Sequence, residues 1–203
     1  MSALVADLAA EARAFTPLEA VAVLLAAAYL LLAIRENIWC WLCAAISTAC
    51  YIALFIDAKL YMESLLNVFY FAMAVYGWLA WRNGGRERPA LPVRRWPLGW
   101  HVAANAAVVA LAGASGFWLA AHSDAAFPYI DSWTTYAAIW ATFLVARKVL
   151  ENWWYWFVID AISVLLYWQR DLPLTTLLFV AYLLLIPVGL ARWTRSWRAQ
   201  PAR

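Results

Sequence analysis

The residues best placed to do chemistry lie in ENWWYWFVIDAISVLLYW, Glu151 to Trp168. Asn152, Trp156, Asp160, Ser163 and Tyr167 recur there at i, i+4, i+8, i+11 and i+15, which is one face of a helix. A membrane-spanning helix needs roughly 17–25 residues, and this stretch has that length with Asp160 near its middle. A carboxyl at that depth is costly against lipid, so it must face protein, water or ligand. Val158, Ile162 and Leu165 point elsewhere. Flat rings sharing a stripe with an amide and an acid suit a buried site for a small aromatic or cationic molecule.

Other stretches repeat the pattern. Glu63, Asn67, Tyr70, Ala74, Trp78 and Trp81 fall at i, i+4, i+7, i+11, i+15 and i+18, and Thr175, Phe179 and Tyr182 form a thinner stripe further on. Asn37, Trp41, Thr48 and Tyr51 make a fourth. The expected site combines Asn152, Trp156 and Asp160 with Asn67, Tyr70 and Trp78 across the molecule, and Tyr182 beside them. The competing reading is that these polar groups pair helix to helix, which for Asp160 would mean a structural tie rather than a ligand contact. His101 and Asn105 share one face of another segment, where an interhelical hydrogen bond is the expected role. Trp96, Trp133, Trp193 and Trp197 are expected to anchor helix ends at the interface.

Composition sets the solvent. Hydrophobic residues make up 67% of the chain and charged residues 13%, against roughly 45–50% and 25% in soluble domains, and mean hydropathy is +0.69. This is an integral membrane protein, and 203 residues leave no room for a soluble catalytic domain beside the crossings. No Walker, H-E-x-x-H or G-x-S-x-G sequence occurs, so neither a phosphate cradle nor a nucleophile with its base is present, and an enzyme is not expected. Cys40, Cys43 and Cys50 share one apolar segment without a ligand-spaced partner, so no metal and no cofactor are expected. A retinal protein would need a lysine in a helix core, whereas Lys59 and Lys148 fall at loops. The net charge of +3 carries no nucleic-acid meaning, because the basic residues cluster as topology signals.

The elements that position the stripes follow in order. Residues 1–16 lack the basic start of a signal peptide and are expected to form a short interfacial segment. Helices are predicted at Leu18–Ile34, Ile38–Ile56, Tyr61–Trp81, Leu98–Ala121, Ser132–Ala146, Glu151–Trp168 and Leu174–Trp193. Residues 82–97, with two Gly, three Pro and five Arg, form a linker expected to lie in water, and residues 194–203 form a basic, disordered tail. Seven crossings place 12 Lys and Arg on the side of that linker and 3 on the other. By the positive-inside rule the N-terminus lies outside and the C-terminus in the cytoplasm.

The first and last three helices match weakly in order. Glu36, Asn37, Trp39 and Trp41 fall on Glu151, Asn152, Trp154 and Trp156 at an offset of 115, Ser47 and Tyr51 on Ser163 and Tyr167 at 116, and Leu60, Tyr70, Gly77 and Trp81 on Leu172, Tyr182, Gly189 and Trp193 at 112. The expected fold is all-α, with seven transmembrane helices in a 3+1+3 arrangement. Parallel three-helix repeats at 17–81 and 132–193 are joined by an inverting helix at 98–122, with substrate bound between them.

The segments RENIWCW…YIALFIDAKLY, NVFYFAMAVYGWLAW and ARKVLENWWYWFVIDAISVLLYWQRDL resemble the Pnu-type bacterial vitamin transporters over about residues 17 to 195, with YGWxxW and ENWxxWxxxD as the most specific patterns. The resemblance implies a relative of the SWEET fold in the bacterial inner membrane and a homotrimer. It also implies facilitated diffusion of an unphosphorylated vitamin, nicotinamide riboside first, that a cytoplasmic kinase then traps. Carried over by motif, Asn152, Trp153, Trp156 and Asp160 match the family's helix 6 pattern and Tyr76, Trp78 and Trp81 its helix 3 pattern. Nicotinamide riboside carriers of the family have an amide residue in helix 5, whereas TTYAAIWATFLVAR here contains neither Gln nor Asn. That departure keeps thiamine, carried by related members, as the alternative, with a non-transport membrane receptor or scaffold as a third reading that the polar and aromatic stripes disfavour.

Overall fold

The computed structural model describes residues 16–57, 61–82, 91–123, 127–169 and 173–200. The N-terminal interfacial segment before Thr16, half of the 82–97 linker and the end of the tail lie outside the described residues. Seven helices are present among those described: α1 (Pro17–Ile34), α2 (Trp39–Asp57), α3 (Tyr61–Arg82), α4 (Leu98–His122), α5 (Pro128–Ala146), α6 (Asn152–Gln169) and α7 (Pro173–Arg198). Thr16 and Glu19 start α1 with a reciprocal capping box, Glu19 N donating to Thr16 Oγ1 at 3.2 Å, and Pro17 takes the first turn, where its missing N–H costs nothing. α5 begins at Pro128, four residues before the expected Ser132, for the same reason. α7 continues past Trp193 to Arg198, so the first half of the expected disordered tail is helical.

Five helices are long and apolar enough to cross a membrane by length and composition: α1, α2, α3, α4 and α7. α5 and α6 fall below that measure because each carries an Asp among several Trp and Tyr, residues that hydropathy scales rate near neutral. α1 packs on α2, α2 on α3, α4 on α5 and α6 on α7; α3 also meets α5, and α1 meets α7.

One end of this bundle is closed by tryptophan. Trp41, Trp81, Trp193 and Trp153 pack in series, with centroids 5.5, 6.3 and 5.4 Å apart, and none is more than 4% exposed. Trp41 lies flat against Gly77 and Trp153 against Gly189, where a Cβ would collide with the indole. Trp81 Nε1 donates to Ala146 O at 3.1 Å and Trp193 Nε1 to Ala33 O at 3.0 Å, tying each indole to a carbonyl in the last turn of α5 or α1. Trp193 is therefore a core residue and not the interfacial anchor its position suggested. Trp96 likewise packs inward, against Trp140 and Phe143. Lys148, expected at an open loop, is 4% exposed: its Nζ lies 3.0 Å from Glu36 Oε2 and 4.5 Å from the Trp81 ring centroid.

The same local geometry recurs 112 residues apart. Glu36 and Lys148 both take positive φ, 55° and 49°. Asn37 N donates to Leu32 O and Val149 N to Leu144 O, each at 2.9 Å. The ring pairs Trp41–Trp81 and Trp153–Trp193 both cross at 88°. At the start of α2 and α6 the structural partners are thus 112 apart, and not 115 as the Glu-Asn-x-Trp alignment suggested, because the backbone turn rather than the side-chain motif fixes the register.

The described part of the linker is pinned to this end. Arg94 N donates to Lys148 O at 2.9 Å and Leu150 N to Arg94 O at 2.8 Å, Arg95 pairs with Glu151 at 2.8 Å, and Val93 is 1% exposed. As the sequence pattern indicates, His101 and Asn105 tie α4 to α6, both meeting the Tyr155 hydroxyl, at 3.2 and 2.8 Å.

Candidate functional site

Beyond the tryptophan end, a cavity of about 400 Å³ lies inside the bundle, within the size range of small-molecule sites. Every helix but α4 contributes to its wall. α6 supplies Asn152, Trp153, Trp156 and Asp160, residues that one helical face brings into line. α2 faces them with Trp41, Ala44, Ser47, Thr48 and Tyr51, while Tyr70 comes from α3 and Phe179, Tyr182 and Ile186 from α7. α1 adds Ala26, Tyr29, Leu30 and Ala33, and α5 adds Thr142 and Val145.

Six of the eight residues expected from the sequence line this cavity: Tyr70, Asn152, Trp153, Trp156, Asp160 and Tyr182. Asn67 and Trp78 do not. Trp78 packs edge-on against Trp39 at 5.5 Å. Tyr76 and Trp81, the other members of the helix 3 motif, serve the closed end: the Tyr76 hydroxyl accepts from Arg147 at 2.9 Å, and Trp81 holds α5. Tyr29, Ser47 and Thr142 are the polar lining residues that stripe counting missed: α1 and α5 carry no polar stripe of their own, and Ser47 stands beside the α2 stripe rather than in it. Ser163 is buried and Tyr167 stacks on Phe179 at 5.2 Å, so the α6 stripe continues as packing beyond Asp160.

The three aliphatic hydroxyls of the wall act as acceptors toward the cavity. Ser47 Oγ donates to Ala22 O at 2.8 Å, Thr48 Oγ1 to Ala44 O at 2.8 Å and Thr142 Oγ1 to Ala138 O at 2.7 Å. Those hydroxyl protons are spent on the backbone, which leaves lone pairs toward the cavity. Asn152 is fully buried, and its Nδ2 donates to Val149 O at 2.6 Å while its Oδ1 has no partner among the described residues. Two donors are similarly unmatched, the Nε1 groups of Trp41 and Trp153. Buried polar atoms without partners are rare and need a reason. Asp160 is 3% exposed, with no ion pair to a described residue, and no Lys, Arg or His among the described residues lines the cavity. A carboxyl set among aromatic rings and hydroxyl lone pairs can hold a small cation with donor groups, and a phosphate would meet no charge partner among the described lining residues.

Residues 16–195 match the sequence model of the nicotinamide mononucleotide transporter family. The chain belongs to that family. The nicotinamide riboside transporter PnuC of Escherichia coli K12 is 27% identical over 175 residues, covering 74% of this chain and 73% of that protein, and the PnuC of Shigella flexneri gives the same values. The crystal structure of the vitamin B3 transporter PnuC matches with a TM-score of 0.71 over 91% of this chain and 83% of its own, at 23% identity, a likeness of fold. The nicotinamide mononucleotide transporter family thus supplies what the apolar composition required, a multi-pass membrane protein whose named relatives are transporters rather than enzymes.

Proposed function

We propose that this protein mediates facilitated diffusion of an unphosphorylated, cationic aromatic B-vitamin across the bacterial inner membrane, with nicotinamide riboside as its first substrate. The observation that carries the reading is the composition of the cavity wall: one buried carboxyl, Asp160, among Trp156, Tyr70 and Tyr182, with no cationic residue among the described lining residues to meet a phosphate. Relatives named for nicotinamide riboside support the choice. One observation keeps thiamine as the second reading: α5 offers Thr142 to the cavity and no amide side chain, and either vitamin is a flat ring bearing positive charge.

The arrangement proposed for transport is 3+1+3, two parallel three-helix repeats on either side of α4. It is supported by the geometry that recurs at a spacing of 112 and by the matching contacts of α3 with α5 and α1 with α7. Both repeats feed the cavity, so substrate lies at their interface. The assembly is a trimer with its C-terminus in the cytoplasm, where a kinase traps the vitamin, and the 12 to 3 distribution of basic residues supports that orientation.

The test is calorimetry on the purified protein with nicotinamide riboside, thiamine and nicotinamide mononucleotide, followed by uptake into proteoliposomes. Binding of a vitamin cation in preference to the mononucleotide is expected, with uptake that stops at equilibrium. Tighter binding of the mononucleotide, or concentrative uptake driven by an ion gradient alone, would overturn the proposal.

A further inference from the structure

The spacing of 112 that relates the two halves also pairs positions on the cavity wall. Trp41 and Trp153, and Tyr70 and Tyr182, are the same residue at both positions. Four other pairs differ. Trp156 corresponds to Ala44, Asp160 to Thr48, Thr142 to Leu30 and Val145 to Ala33, and all eight of these residues line the cavity. Ala44 and Trp156 also pack against the same buried cluster, which includes Trp41 and Trp153. The α2 side therefore has an alanine where the α6 side has an indole, and the missing volume opens into the cavity.

We infer that the space at Ala44 is where the ring of the substrate lies, so that Ala44 sets the size and the orientation of the ligand; this rests on the vitamin-binding reading above. A ring seated there replaces the absent indole and enters an environment already shaped for one. Thr48 replaces the second carboxyl that strict repetition would have placed on that side, so the positive charge of the ligand has a single partner, Asp160 on α6. The unmatched Oδ1 of Asn152 lies on the same charged side, since its counterpart at this spacing, Cys40, does not line the cavity. Ring toward α2 and charge toward α6 is one orientation, and the reversed pose would set the cation among Ala44, Ser47 and Thr48, away from any carboxyl.

The experiment is calorimetry and thermal melting on the full-length protein in detergent, with nicotinamide riboside and thiamine as probes. Ala44→Val should weaken binding by about tenfold and Ala44→Trp by about a hundredfold or more, since groups forced into filled space displace their neighbours. Melting should stay close to that of the unaltered protein, because the added atoms fill open space in the unliganded cavity. Ala44→Trp combined with Trp156→Ala moves the indole to the other side and should bind at least about tenfold better than Ala44→Trp alone, the coupling expected of two residues that compete for one space. Unaltered protein that binds a vitamin while folded Ala44→Val and Ala44→Trp keep their affinity within about twofold would overturn the inference and leave the vitamin reading standing. Absence of binding to either probe by the unaltered protein would overturn both. If Ala44→Trp does not fold, Ala44→Val decides.

Discussion

Replacement of Asp160 by asparagine separates a ligand-binding carboxyl from one that ties helices, because the two roles predict opposite signs. Asp160 is 3% exposed and lines the cavity, and no Lys, Arg or His among the described residues shares that wall. A cation held roughly 4 Å from it gains about 4 kcal/mol at the effective dielectric near 20 that suits protein sites. Asparagine is of similar size and keeps an oxygen dipole in place, and water reaching the open cavity screens part of the rest. A net loss of about 2 kcal/mol remains, or an affinity about 30-fold weaker, since 1.4 kcal/mol is a factor of ten. Stability should move the other way. A buried carboxylate without a partner is penalised by desolvation in the empty protein, so removing its charge should leave the melting temperature unchanged or raise it. Calorimetry with nicotinamide riboside and thermal melting of the empty protein read the two effects separately. A lower melting temperature with unchanged affinity per folded molecule would refute the argument and make Asp160 a structural tie.

Three further outcomes can be checked. Trp156→Ala should weaken vitamin binding by about tenfold in a folded protein, through loss of an aromatic face beside the cation, and Asn152→Ala should weaken it as well; unchanged affinity in both would move the site elsewhere. Glu36→Gln should lower stability by about 3 kcal/mol, because it leaves the buried Lys148 ammonium unpaired, and the double change with Lys148→Met should recover most of that in a melting assay. Gly77→Ala and Gly189→Ala should each cost about 1–3 kcal/mol by driving a methyl into Trp41 or Trp153, whereas Gly113→Ala, with nothing within 4 Å, should be neutral or slightly stabilising in the same measurement.

The helices were legible because each is an apolar run broken by strong punctuation, such as Thr16-Pro17, Arg35-Glu36-Asn37 or Arg147-Lys148. α6 announced its inward face because a membrane helix has few reasons to carry Asn152, Trp156 and Asp160 in line. The opposite wall was harder to see. Tyr29 and Thr142 are single polar residues on α1 and α5, and only packing decides whether such a residue faces lipid or ligand. The α3 stripe misled for a related reason: Tyr70, Trp78 and Trp81 share a helical face, but the helix passes from the cavity to the closed end along its length, so Tyr70 lines the cavity while Trp81 caps α5. Trp193 escaped because a tryptophan near the end of a membrane helix fits the interface equally well, and its hydrogen bond to Ala33 spans 160 residues of sequence. The repeat was visible, but its register was not. Glu-Asn-x-Trp invites alignment at 115, while the two positive-φ residues, Glu36 and Lys148, differ so much in chemistry that no side-chain comparison would pair them.

Glu36 and Lys148 also show how a repeated fold can serve an unsymmetrical ligand. At the closed end, positions 112 apart either keep the same residue, as with Trp41 and Trp153, Gly77 and Gly189, and Trp81 and Trp193, or become complementary, as with the acid at 36 and the base at 148 that pair with each other. Identity is favoured there because both halves solve one packing problem, an indole on a glycine and an indole N–H on a helix end. At two pairs of cavity positions identity would be a liability. Two carboxyls at 48 and 160 would repel across a space of about 400 Å³, and two indoles at 44 and 156 would fill much of it. The differences at these positions leave room for a ring on one side and a single charge partner on the other. The proposed binding chemistry therefore draws on pairs that diverge, Ala44 with Trp156 and Thr48 with Asp160, set beside pairs that agree, Trp41 with Trp153 and Tyr70 with Tyr182.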